Sequence, residues 1–299
     1  MMEKEKIKGI IVPLLTPVNE EEMICETKLR KIVRHVIDHG VHGILAFGSN
    51  SEFYMFEHDE MLAATEIILD EAAGKVPVFF GMGPIRTKHA VALAKQAAKL
   101  PIAGISVLHP MFIKPTEEAL YNHFKAIADA VSDTMVLLYN NPARAGYSLS
   151  QPLIEKLAHT VENIVGIKDS SGDLTFLSEL VRRNADVGFR VIAGKDTIVY
   201  PSLCVGAVGG VCSTANIYPE LVCGIYDQYV SGDFQGALKN QFTLNPIRLS
   251  QDAASFPSAT KDMANLMGLN VGPSILPTEA SKGVVLDKMI DEMKKAGFL

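Results

Sequence analysis

The chain has 299 residues, 48% of them hydrophobic and 21% charged, with a formal charge of −6. That supplies a large core for one α/β barrel or two ordinary domains. The acidic balance and the absence of any dense Lys/Arg cluster argue against nucleic acid or an anionic membrane surface as the partner, and no apolar run is long enough to span a bilayer.

Short apolar runs alternate with amphipathic stretches of helical spacing. Residues 9–15 (GIIVPLL) read as a first strand, closed by Thr16-Pro17 and followed by a helix over 26–39 that stops at Gly40. Strand two (43–49) precedes a helix over 57–73, and strand three (76–83) an alanine-rich helix over 87–100. Strand four (104–110) leads to a helix beginning near Thr116, with Glu117 and Glu118 in its first turn. Strand five (135–142) is followed by a helix after Ser150, with Pro152 in its first turn. Strand six (163–169) and its helix (173–184), strand seven (189–196) and a short helix (198–204), and strand eight (207–213) with a helix over 219–230 complete the series.

Strands that are apolar almost throughout belong to a parallel sheet buried on both faces. Eight strand–helix units close naturally into a (β/α)₈ TIM barrel. An open doubly wound sheet is the runner-up, but the Gly-x-Gly-x-x-Gly turn expected after its first strand is missing. From about Asp233 the pattern becomes helical only, over 234–252, 259–267 and 279–296. The expected organisation is a catalytic barrel over 1–232 and a C-terminal helical appendage over 233–299.

In such a barrel the chemistry sits at the carboxyl ends of the strands. Strand six ends in Lys168, followed at once by the polar turn Asp169-Ser170-Ser171. Desolvation at a buried strand end favours the neutral, nucleophilic form of an amine, which attacks the ketone of a 2-oxo acid to form an imine. The plainer reading is a lysine that keeps its charge in solvent. Strand two delivers Ser49, Asn50, Ser51 and Glu52, strand five Tyr139 with Arg144 in the loop beyond, strand seven Gly194 and Asp196, and strand eight Gly210 and Ser213. Asp169 and Asp173 read as turn and helix-capping residues. His35, His39 and His42 lack the glutamate of a His-Glu-x-x-His zinc motif and read as a solvated helix end, and Gly81-x-Gly83 lacks the lysine and serine of a phosphate loop. The four cysteines show no Cys-x-x-Cys spacing, so neither a disulfide framework nor a metal site is expected. The charged start, MMEKEKIKG, is not a secretory signal, which points to the cytoplasm.

Four separated motifs, GSNSE (48–52), YNNPARAG (139–146), GIKDSSGD (166–173) and GAVGGVCSTAN (206–216), resemble the signatures of the dihydrodipicolinate synthase / N-acetylneuraminate lyase family, in order and at family-like intervals. The resemblance implies a class I, metal-independent lyase without a separate cofactor, in which Lys168 forms the imine with pyruvate or a related 2-oxo acid. Tyr139 would shuttle protons, Ser49 would join that relay, and the Ser49–Asn50 turn with its amides would hold the substrate carboxylate. The remaining candidates for substrate contact are Arg144, Gly194, Asp196, Gly210 and Ser213. The family is usually assembled as dimers paired into tetramers, so a homo-oligomer is implied.

Three departures stand out. Ser51 replaces the family's glycine, so the loop's backbone angles are expected to differ. Asn50 replaces its threonine. Met111 and Phe112 stand where the synthases carry paired tyrosines, one of which completes a neighbouring subunit's proton relay; interface packing is the expected role here. Arg144 favours the synthases, where an arginine meets the carboxylate of the second substrate. Thr197 after Asp196 speaks against a sialic acid lyase, whereas Gly210 and Ser213-Thr214 look more like the lyase version. The leading expectation is an aldolase acting on pyruvate and a 2-keto-3-deoxy sugar acid or similar compound. The alternatives are dihydrodipicolinate synthase itself, joining pyruvate to the aldehyde aspartate semialdehyde, a dehydratase on the same imine chemistry, and a catalytically weak 2-oxo acid binder.

Overall fold

A computed structural model describes residues 3–299. Eight parallel strands, β1 (Gly9–Pro13), β2 (Gly43–Ala46), β3 (Val78–Met82), β4 (Gly104–Leu108), β5 (Met135–Asn140), β6 (Ile164–Asp169), β7 (Arg190–Ala193) and β8 (Gly209–Val211), pair in sequence order and close through β1 and β8 into a barrel. The helices between them are α1 (Glu26–Asp38), α2 (His58–Ala72), α3 (Thr87–Ala97), α4 (Glu117–Asp129), the single turn α5 (Pro142–Ala145), α6 (Gln151–Thr160), α7 (Leu174–Arg183) and α8 (Val199–Cys204). Then come α9 (Pro219–Ser231) and the C-terminal α10 (Phe234–Ser250), α11 (Ser258–Leu266) and α12 (Gly283–Lys295). The closed (β/α)₈ architecture read from the sequence is the fold, and among the described residues no helix is long and apolar enough to cross a membrane.

The strand pattern builds two cores. Ile10, Val12, Val136, Leu138 and Ile167 point outward against the helices, whose apolar positions recur at helical spacing, as with Leu29, Ile32, Val33 and Val36 of α1. Ile11, Leu45, Phe79, Leu137, Val165, Ile192 and Val211 point inward and fill the barrel. The filled interior leaves the carboxyl-end mouth as the place for a ligand.

Several boundaries differ from the sequence reading, and each difference has a local cause. The strands are shorter, because the residues at their ends serve the turns. Phe47 adopts φ 53° directly after β2, and Ser49–Ser51 form a 3₁₀ turn. Arg144 lies in the helical turn α5, nucleated by Pro142 and closed by Gly146 at φ 87°, rather than in a loop. The last helix starts at Gly283 because the preceding segment is drawn onto α11, where the Ser281 amide donates to Asp262 at 2.8 Å. His42 is not a solvated helix-end residue: its ring accepts the Ile10 amide at 3.1 Å and meets Asp227 at 2.9 Å.

Candidate active site

A β-bulge sets the site. Val136 pairs with Ile164, but Leu137 pairs with Gly166, so Val165 is an extra residue in β6. Side chains alternate along a strand, and one extra residue reverses the face of everything after it. Lys168 therefore lies beside Tyr139 on the inner face, with Ile192 as its inward partner on β7. Gly166 is required at the bulge, since a Cβ there would stand 2.5 Å from the Arg190 carbonyl oxygen. The Lys168 ammonium nitrogen lies 4.1 Å from the centre of the Tyr139 ring, and each residue is only 5% exposed.

The Tyr139 hydroxyl is the hub of a polar network. It accepts a hydrogen bond from the Asn141 amide at 2.8 Å and shares one with the Ser49 hydroxyl at 3.3 Å. Burial pushes the phenol's pKa up, but the Lys168 charge and hydrogen bonds to Ser49, Asn141 and Ser170 outweigh it, leaving the phenol below its ordinary value. Such a phenol exchanges its proton more readily than a free tyrosine.

Ser49 and Asn50 are buried at the cleft wall. The Ser51 and Glu52 amides close the turn onto the carbonyls of Gly48 and Ser49, at 3.0 and 3.3 Å. Those of Ser49 and Asn50 meet no acceptor among the described residues, which leaves two consecutive donors for an anion. Ser51 sits in this right-handed turn and donates its hydroxyl to the Leu14 carbonyl. The left-handed conformation falls instead on Glu52, at φ 57°.

On the opposite wall, Gly194 donates to the Asp169 carbonyl at 2.6 Å and accepts from the Ser170 hydroxyl at 3.1 Å. One oxygen of Asp196 receives the Ser213 hydroxyl, the Thr214 amide and the Thr214 hydroxyl at 3.2, 2.8 and 2.6 Å. Gly210 lies within β8, opposite Ala193, rather than on the cleft wall. Asp169 takes the Asn140 amide at 2.7 Å and the Ser171 hydroxyl at 2.6 Å; burial pushes its carboxyl up against these bonds. Asp173 caps α7 through the Phe176 amide.

The cleft holds about 540 Å³, counting the space open to solvent. The Arg144 guanidinium stands at its mouth, 4.3 Å from the centre of the Phe256 ring, and forms no ion pair among the described residues. Met111 is half-buried beside the mouth, while Phe112 is 96% exposed at φ 70°. The structure thus gathers Lys168, Tyr139, Ser49, Asn50, Arg144, Gly194, Asp196 and Ser213 around one cleft. It adds Asn141, Ser170, Lys195, Arg248 and Phe256, which sequence reasoning did not single out. Asn141 was available in the YNNPARAG motif, whereas Arg248 on α10 and Phe256 after it arrive only through the packing of the C-terminal helices. An amine, a phenol tuned for proton exchange and two free amides at one mouth suit imine formation with a small 2-oxo acid.

Residues 6–292 match the model of the dihydrodipicolinate synthetase family. The 4-hydroxy-tetrahydrodipicolinate synthase of Methanopyrus kandleri is 33% identical over 295 residues, covering 98% of each chain. The enzyme of that name from Pelobacter propionicus is 36% identical over 262 residues, covering 88% of this chain and 89% of its own. Among solved structures, the chloride-inhibited dihydrodipicolinate synthase of Acinetobacter baumannii, complexed with pyruvate, superposes with a TM-score of 0.93 at 30% identity, over 98% of this chain and 100% of its own.

Proposed function

The chain belongs to the dihydrodipicolinate synthetase family of class I lyases, and from that premise we propose that it condenses pyruvate with aspartate semialdehyde, as a 4-hydroxy-tetrahydrodipicolinate synthase. The Lys168 amine adds to C2 of pyruvate, and the carbonyl oxygen leaves as water, giving an imine. A methyl proton passes to the Tyr139 phenolate, giving the enamine. Its carbon attacks the aldehyde, whose oxygen takes a proton through Tyr139, and transfer of C2 to the product's own amino group or to water frees Lys168. The Ser49 and Asn50 amides hold the pyruvate carboxylate, and Ser49 and Asn141 steady the phenol between its two states. Chemically this needs no cofactor beyond the lysine.

The observation that carries the reading is the Lys168–Tyr139–Ser49 cluster, with Arg144 poised at its mouth. The free guanidinium suits the carboxylate of the second substrate. Together with the relatives' names it moves the synthase ahead of the sugar-acid aldolase that the sequence put first. The aldolase stays as the second reading because Phe112 cannot relay a proton.

We also place the enzyme in the cytoplasm, in keeping with its four free cysteines, and assign it a homo-oligomer. Phe112, Ile113, Ile85 and Tyr54 expose apolar surface near the cleft, which suits a second copy of this chain. Borohydride reduction in the presence of pyruvate, followed by peptide mass mapping, is the test. A pyruvate-derived adduct on Lys168 and turnover with aspartate semialdehyde are expected. An adduct on another lysine, or none, overturns the mechanism; an adduct on Lys168 with turnover only of sugar-derived aldehydes overturns the substrate.

A further inference from the structure

Two charges lie in the interior where the imine chemistry has no use for them. Glu52 and Lys261 are each 0% exposed and in direct contact. The second oxygen of Glu52 accepts the Ile275 amide at 2.9 Å, and the Lys261 ammonium donates to the Pro273 carbonyl at 2.8 Å. The first oxygen has, among the described residues, no partner besides that ammonium. Burying such a pair is costly, and well-packed apolar side chains of similar volume often do as well for stability. Its presence is therefore better explained by where it sits.

Glu52 directly follows Ser49, Asn50 and Ser51, and carries the left-handed conformation that ends their turn. Lys261 belongs to α11, and Pro273 and Ile275 to the segment after it. One residue before the lysine, the Thr260 hydroxyl donates to the Asn50 side chain at 3.4 Å. The turn is thus held on one side by the barrel, through Ser51 and the Leu14 carbonyl, and on the other by the C-terminal helices. We propose that Glu52 and Lys261 are positioning residues, a buried clamp by which the C-terminal helices fix the Ser49–Asn50 turn that grips the 2-oxo acid carboxylate. The carboxylate part of this inference rests on the function proposed above; the clamping of the turn does not.

The test uses the full chain with Glu52→Gln and Lys261→Met together, which removes both charges and keeps the volumes. Amide exchange over residues 48–56 reads the turn without any substrate, and is expected to accelerate at least about tenfold while the β4 to β6 strands stay protected. The pyruvate concentration for half-maximal borohydride trapping on Lys168 is expected to rise about tenfold or more, because small misplacements of binding groups are costly. A purely structural pair predicts that any loss of melting temperature occurs without either change. Unchanged exchange in 48–56 overturns the clamp, and faster exchange with unchanged half-saturation overturns its link to carboxylate binding. Failure of the unsubstituted protein to form any adduct overturns the functional reading and leaves the exchange result to judge the clamp. If the double variant does not fold, Glu52→Asp, which keeps both charges but shortens the reach to Lys261 and the Ile275 amide, takes its place in both measurements, with a severalfold change expected and the same results overturning each part.

Discussion

Replacing Tyr139 with phenylalanine removes one oxygen from the centre of the site and little else. The ring that lies 4.1 Å from the Lys168 nitrogen stays, so the amine keeps its packing. What disappears is the acceptor of the 2.8 Å bond from Asn141 and the partner of the 3.3 Å contact with Ser49. Both of these side chains border the cleft, where water replaces the lost partner, so the cost in stability is about 1 kcal/mol. The cost in rate is much larger. Proton transfer by a positioned side chain is worth about 10²–10⁴-fold, or roughly 3–5 kcal/mol of activation free energy. The variant is expected to lose that factor in kcat with pyruvate and aspartate semialdehyde, while its half-saturating pyruvate changes only a few-fold, because the Ser49 and Asn50 amides are untouched. Borohydride should still trap an adduct on Lys168, more slowly. A kcat within tenfold of the unsubstituted enzyme would refute the assignment of Tyr139 as the proton carrier.

Asn141→Ala removes one of the donors that favour the phenolate of Tyr139, so the phenol's pKa must rise. The limb of the kcat/KM profile that reports Tyr139 should move to higher pH; a limb that stays or falls would take Asn141 out of the network. Gly194→Ala would put a methyl group 2.9 Å from the Asp169 carbonyl oxygen and against the Ser170 hydroxyl, an overpacking that costs about 1–3 kcal/mol. Urea denaturation should show that loss, and an unchanged midpoint would mean that the 170 turn yields freely. Phe112→Asp puts a charge on the exposed apolar patch, and if the patch joins two copies, sedimentation should show a smaller species than the unsubstituted protein. An unchanged mass would place any subunit contact elsewhere.

The barrel was legible because its signal is local and repeated: eight apolar runs, each followed by a helical stretch, the first two of which stop at Gly40 and Gly74. Lys168 and Tyr139 stood out for the same reason, each ending an apolar run. The bulge at Val165 did not, because Ile-Val-Gly-Ile reads as continuous strand whether or not a residue is skipped, and only pairing with β5 reveals the change of face. The part played by Ser51 was also hidden. A glycine-to-serine departure suggested altered backbone angles, yet the left-handed residue is Glu52, and the serine's own contribution is a hydroxyl bonded to Leu14. Lys261 falls within the helical stretch 259–267, where nothing in the local sequence marks one lysine as buried. Its partner is more than 200 residues away in sequence, and no periodicity reports that.

The ring of strands is fastened unevenly. β4 and β5 share five register pairs, whereas β7 and β8 share only Ala193 with Gly210. Just beyond that thin joint, Asp196 takes its three donors from Ser213 and Thr214, which a side chain contributes where the backbone ladder has run out. The barrel is built as a hoop with a clasp, and amide exchange is expected to be faster in β7 and β8 than in β4 and β5. Because Asp196 also lines the cleft, the carboxylate that fastens the hoop borders the space a ligand would fill. A mutational search that varies Asp196 to admit a different aldehyde will loosen the scaffold as it widens the door.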